Sequence, residues 1–218
     1  MATSFRAVAA EPLPSLDRVA LALAGEFRAV DHSAAMGRLD ELGGELEAAL
    51  NGSEEPLEQA EACRVLLGDG EGFAGDREDY GHPDNSMLDV VLERRRGLPI
   101  LLSVVYAEVG RRAGVPLAGV GLPGHFVVGH FGGERPVLLD PFGAGRRVET
   151  TAAPELVRPW GPSEIALRML NNLVNTYASR DDPVRAVHAA ELRLALPLGE
   201  DLRRELEREL RALRWRLG

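Results

Sequence analysis

Apolar residues crowd one stretch of this chain. From Gly97 to Ala113 the sequence reads GLPILLSVVYAEVGRRA, apolar nearly all round at first through Ile100, Leu101, Leu102, Val104 and Val105. That pattern predicts a buried central helix over about 99–113. Pro99 suits its first turn, where a missing N–H costs nothing, and Gly114 ends it. Upstream the period is also helical, with narrower stripes. Val19, Leu23 and Phe27 follow a cap at Ser15. Met36, Leu39, Leu42, Leu46 and Leu50 follow the turn Asp31-His32-Ser33, although Gly43-Gly44 weakens that helix. A third helix runs from Pro56 to about Leu67, its acidic start suited to the N-terminal dipole. A fourth, Met87 to Arg96, is capped by Asp84-Asn85-Ser86 and stopped by Gly97. Residues 1–12 read as a leader without periodicity, and 68–83, rich in glycine and acids, as a loop.

After Gly114 the period changes. Leu117 to Gly121, His125 to Phe131 and Val137 to Asp140 are short, β-rich and separated by Gly and Pro. Gly132-Gly133-Glu134 predicts a hairpin turn. Residues 143–162 are irregular, and three helices follow at about 163–179, 183–195 and 199–217. The last carries Leu202, Leu206, Leu210, Leu213 and Leu217 on one stripe. The expected class is α+β: an N-terminal helical part (1–82), a core with a small antiparallel sheet (83–160), and a helical tail (161–218) packed on that core.

Composition narrows the function. A chain of 218 residues can bury a sizeable core. A formal charge of −9 gives a field that repels phosphate, which argues against nucleic acid and anionic membrane as partners. The basic residues are all arginines, so no lysine is available as nucleophile or Schiff base. Cys63 is the single cysteine, so no intramolecular disulfide or multi-cysteine zinc site can form, which fits a reducing cytoplasm. There is no signal-peptide pattern and no uncharged apolar run long enough to span a bilayer. No cluster has credible metal spacing, and no cofactor is expected. The chain reads as cytoplasmic, with an unknown protein or peptide as its partner.

The candidate chemistry lies on the strands. His125 and Asp140 are fifteen positions apart, at hairpin spacing, just after the buried helix. They stand among a set of motifs: Pro83-x-Asn85-Ser86-x-Leu88, Val91-Leu92-Glu93-Arg94-Arg95-x-Gly97-x-Pro99-Ile100, Tyr106, Arg111-Arg112-x-Gly114-Val115-Pro116, Gly119-Val120-x-x-Pro123-Gly124-His125-Phe126 and Asp140-Pro141-Phe142. In this combination the chain resembles the transglutaminase-like superfamily, and within it the SirB-type family, which carries tetratricopeptide-like helices after the core. The stretch from Asn171-Asn172-Leu173 through Tyr177, Ala186 and Leu196-Pro197 is similar to such helices. The resemblance implies a papain-like core. In active members a cysteine opens the buried helix, a histidine on the next strand activates it, and an aspartate orients the imidazole. Here the last two fall on His125 and Asp140. The cysteine position falls on or beside Pro99-Ile100, where neither side chain can attack a carbonyl.

Each candidate also has a plain structural reading. His125 suits either a satisfied core histidine or a pocket. Asp140, before a proline, also suits a turn. Asn85 and Ser86 cap a helix, and the resemblance adds Asn85 as a pocket-lining residue, with Pro99, Tyr106 and Phe126 among the matched positions. Arg94, Arg95 and Arg96 suit a solvated helix end or an anion clamp. Ser103 is expected to bond the backbone four residues back, and Cys63 to be an inert small hydrophobe. Three functions follow: a non-catalytic module that binds a protein or peptide, with the regulatory role the resemblance implies; a hydrolase or acyl transferase with Cys63 or Ser103 as relocated nucleophile; or a scaffold acting through its C-terminal helices.

Overall fold

A computed structural model describes residues 3–215; Leu217 of the C-terminal stripe lies outside them. In chain order the elements are α1 (Phe5–Ala9), α2 (Leu16–Gly25), α3 (His32–Leu50), α4 (Pro56–Cys63), β1 (Ala74–Gly75), α5 (Leu88–Arg94), β2 (Arg96–Gly97), α6 (Pro99–Arg112), β3 (Leu117–Leu122), β4 (His125–His130), β5 (Val137–Asp140), β6 (Arg146–Arg147), α7 (Pro162–Ser179), α8 (Pro183–Arg193) and α9 (Glu200–Trp215). The class is α+β. β3 to β6 form an antiparallel sheet in sequence order, and β1 pairs with β2 in a separate parallel ladder.

Helix α6 organises the molecule. Every residue from Pro99 to Gly110 is buried, because α2, α3, α5, α7, β3 and β4 all pack on it. One apolar cluster runs from Phe5 to Leu210 through this helix. The sheet lays Phe126, Val128 and Leu139 on the α6 side. Its other face carries a small second cluster, Val120, Val127 and Leu138, against Leu122, Val148 and Val157.

Several elements differ from the sequence expectations. The leader contains α1, whose Phe5 is fully buried and whose first turn is capped by Ser4. Residues 68–83 hold β1. Helix α5 ends at Arg94, two residues before the expected stop, because Arg95 adopts φ 57° and turns the chain into β2. Helix α3 is continuous through Gly43-Gly44. A Cβ on Gly43 would stand 2.4 Å from the Arg112 Cβ, so this glycine lets α6 approach closely.

A buried ionic network ties α2 to α6. Arg112 Nη2 donates to Asp17 Oδ2 at 2.7 Å, and Nη1 donates to Glu108 Oε2 at 2.8 Å. Glu108 Oε1 accepts the N–H of Leu16 at 2.9 Å, and Arg112 Nε reaches Asp40 at 2.6 Å. Burial and the nearby Asp17 charge push the Glu108 carboxyl up. Burial also pushes at Asp17, but hydrogen bonds from Ser15, Arg112, Glu108 and the Arg18 N–H outweigh it and hold that group low.

Candidate functional site

His125 opens β4 because Pro123-Gly124 turns the chain back on itself. Gly124 sits at φ 73°, the conformation that the third residue of a Pro-Gly type II turn requires. The turn sets Leu122 opposite His125. In the next hairpin Val128 faces Leu139, and continuing that register sets Asp140 opposite Val127. His125 and Asp140 are therefore diagonal neighbours on one face. His125 Nε2 lies 2.9 Å from Asp140 Oδ1. Against a carboxylate acceptor, Nε2 carries the proton and donates. The same Oδ1 accepts the N–H of Phe142 at 3.1 Å, which fixes the carboxylate from the turn that follows it. The arrangement leaves Nδ1 of a half-exposed imidazole (36 % side-chain exposure) without a partner among the described residues, and in the neutral ring that nitrogen is an acceptor.

The pleat decides where this pair looks. Alternate residues of a strand point to opposite faces. Phe126, Val128 and Leu139 pack toward α6, so His125 and Asp140 share the face of Val120, Val127 and Leu138. The pair thus stands at the rim of the smaller cluster, beside Leu122.

The N-terminus of α6 carries no nucleophile. Leu98 is its cap residue and Pro99 its first residue, both buried. Leu98 N–H donates to the Asn85 carbonyl at 3.0 Å, which pins this helix start to the preceding loop. Ser103 Oγ donates to the Pro99 carbonyl at 2.8 Å. Cys63 is fully buried on α4, and burial pushes its thiol up to about 12.

The remaining candidates are dispersed. Asn85 is fully buried, and its Nδ2 donates to the Asp79 carbonyl at 2.8 Å, which orders the loop. Phe142 lies against Gly75, edge-on to Tyr80 and under Arg77, so this loop covers the DPF turn. Arg94 reaches Asp76 and Asp84, Arg95 reaches Glu71, and Arg96 donates to the Gly72 carbonyl. All three arginines are used to fasten residues 71–84, and they form no common clamp. Tyr106 is buried in mid-helix, and its hydroxyl has no partner among the described residues. Phe126 is buried edge-on to Trp160 at 5.4 Å between ring centres. Among the described residues no group of three His, Cys, Asp or Glu side chains is placed to hold a metal ion, and no helix is long and apolar enough to cross a membrane. His130 is fully satisfied: Nε2 faces Gln59 Oε1 at 2.7 Å, Nδ1 accepts the Gly132 N–H, and burial pushes its pKa down.

Comparison with known proteins gives a consistent family. A model of the transglutaminase-like superfamily matches residues 33–177. A UPF0162 protein of Xylella fastidiosa is 36% identical over 159 residues, covering 65% of this chain and 56% of the relative. A UPF0162 protein of Pseudomonas aeruginosa is 31% identical over 209 residues, covering 88% of this chain and 76% of the relative. F-box only protein 21 of Mus musculus is 39% identical over 82 residues, which are 38% of this chain and 13% of that one. The chain spans about half the length of the first curated relatives it matches. No solved structure matches it.

Proposed function

The chain belongs to the transglutaminase-like superfamily, and we propose that it acts in that family as a non-catalytic module that binds a protein or peptide in a regulatory role. The observation that carries this reading is a fixed His125–Asp140 pair with no hydroxyl or thiol hydrogen-bonded to the imidazole among the described residues. The imidazole is oriented by a carboxylate, yet Pro99 stands where the resemblance puts the thiol, and the Ser103 hydroxyl is committed to a backbone carbonyl. An oriented, half-exposed Nδ1 is a hydrogen-bond acceptor for a peptide N–H. Leu122, directly opposite His125, supplies apolar contact beside it. That 82 residues of this chain have a similar stretch within the much longer F-box only protein 21 supports use of part of this chain as a module.

The relocated-nucleophile reading has less behind it. It needs an oxygen or sulfur in hydrogen-bond reach of Nδ1, and both candidates are buried with other surroundings.

A peptide display library randomised without Asp or Glu and fused at its C-terminus, so that it offers no carboxylate to any other groove, is selected on the wild-type chain and tests the proposal. The selected peptides are expected to bind His125→Ala about three- to tenfold more weakly, the loss of one hydrogen bond. Thermal stability changes little, because Asp140 keeps its bond from Phe142 N–H. Equal binding of those peptides to the folded variant overturns the assignment of this face.

A further inference from the structure

Helices α7, α8 and α9 enclose a groove of about 530 Å³ that is separate in its residues from the His125 face. Its wall carries Arg168, Asn171, Asn172, Asn175 and Arg193. Arg193 is the unusual member, an arginine only 3% exposed. Its Nη1 donates to Asn171 Oδ1 at 3.1 Å and to Glu209 Oε2 at 2.8 Å. Its Nε and Nη2 are buried with no acceptor among the described residues. Those two nitrogens form one edge of the guanidinium fork, which matches a carboxylate in bidentate fashion. Buried donors without acceptors are costly in a native fold and call for an explanation.

We propose that this groove binds a peptide through a carboxylate, which pairs with the Nε–Nη2 edge of Arg193. The lining favours this ligand over other anions. Glu205 and Glu209 stand across from Arg168 and Arg193, so the local formal charge is balanced, and a singly charged carboxylate suits it better than a doubly charged phosphate. Asparagine amides both donate and accept, as a peptide backbone does. Val174, Leu202 and Leu206 give the groove an apolar side for a side chain. In the free protein Glu209 of α9 already holds one corner of the same guanidinium, and the Nε–Nη2 edge is shielded from solvent. Helix α9 buries only Leu206 and Leu210, and its displacement from Arg193 is part of the proposal. Glu209 then acts as an internal competitor.

Three hexapeptide libraries, randomised without Asp or Glu and applied to the full chain, test the site: one with a free C-terminal carboxylate, one C-terminally amidated, and one amidated with a fixed internal Glu. Glu209→Gln is expected to retain the free-acid library about tenfold better than the amidated one, as charge-assisted hydrogen bonds provide. Arg193→Gln removes the preference. If that buried variant does not fold, Asn175→Ala, at an exposed position, still lowers retention. His125→Ala keeps the preference, which separates this groove from the His125 face. Retention of the fixed-Glu library as well supports the site and identifies a side-chain carboxylate as the source. Equal retention of acid and amide libraries, a preference that survives Arg193→Gln in folded protein, or stronger competition by inorganic phosphate than by acetate overturns the proposal.

Discussion

Iodoacetamide leaves Cys63 of the folded chain almost unmodified at pH 8 and alkylates it rapidly once urea unfolds the protein. The reacting species is the thiolate. Burial pushes the thiol from an ordinary 9.0 up to about 12, so the folded thiolate population at pH 8 is about a thousandfold smaller than that of an ordinary thiol. The side chain is also fully buried, which slows the reagent further. With one cysteine in the sequence, intact mass reads the result directly. Rapid alkylation of native protein well below pH 8, lost in His125→Ala, would revive the relocated-nucleophile reading.

Arg112→Met should lower stability by about 3–5 kcal/mol at neutral pH, the cost of breaking a buried ion pair. The substitution leaves Asp17 and Glu108 facing each other in the interior, with the half-exposed Arg111 as their one remaining ion-pair partner among the described residues. The pH dependence gives a second check. Glu108 is held high by burial and by the Asp17 charge. Its contribution is therefore present below its unfolded value of 4.5 and lost as pH rises through its folded value. Asp17 is held low despite burial, so its contribution is present above 3.8 and lost as pH falls through its folded value. Without Arg112 the repulsion between the two carboxylates dominates, and protonation relieves it. Urea melts should therefore show a gap between variant and wild type that is widest near pH 7 and narrows toward pH 5. A gap that is small, or the same at both pH values, contradicts this account of the network.

The parts of the fold that were legible are those written in short-range patterns. The apolar run at 98–105 gave α6, the Gly and Pro breaks separated the strands, and Gly132-Gly133 gave the hairpin that brings His125 to Asp140. The backbone bond from Ser103 to Pro99 is likewise a local, four-residue event. What remained hidden depends on distant partners. Phe5 lies in a five-residue helix, and its burial is decided by tertiary packing. Gly43 reads as a helix defect until Arg112 is seen against it. Arg94, Arg95 and Arg96 have long side chains, and their partners Asp76, Glu71 and Gly72 lie 18 to 24 residues upstream. Arg193 looks like one more charged residue in an amphipathic helix, and only packing against distant residues, Asn171 of α7 and Glu209 of α9 among them, makes it a buried cation. Asp17 and Arg112, 95 positions apart, carry no sequence signal of their pairing.

The central claim is that His125 and Asp140 form a recognition element without a nucleophile. Intact-mass detection after incubating the native chain with p-nitrophenyl acetate tests it most directly. The account predicts no acyl adduct that depends on His125: any slow acetylation is the same in wild type and His125→Ala. An acyl-enzyme that accumulates in wild type and disappears in His125→Ala would show an activated nucleophile beside the imidazole, and would contradict the account.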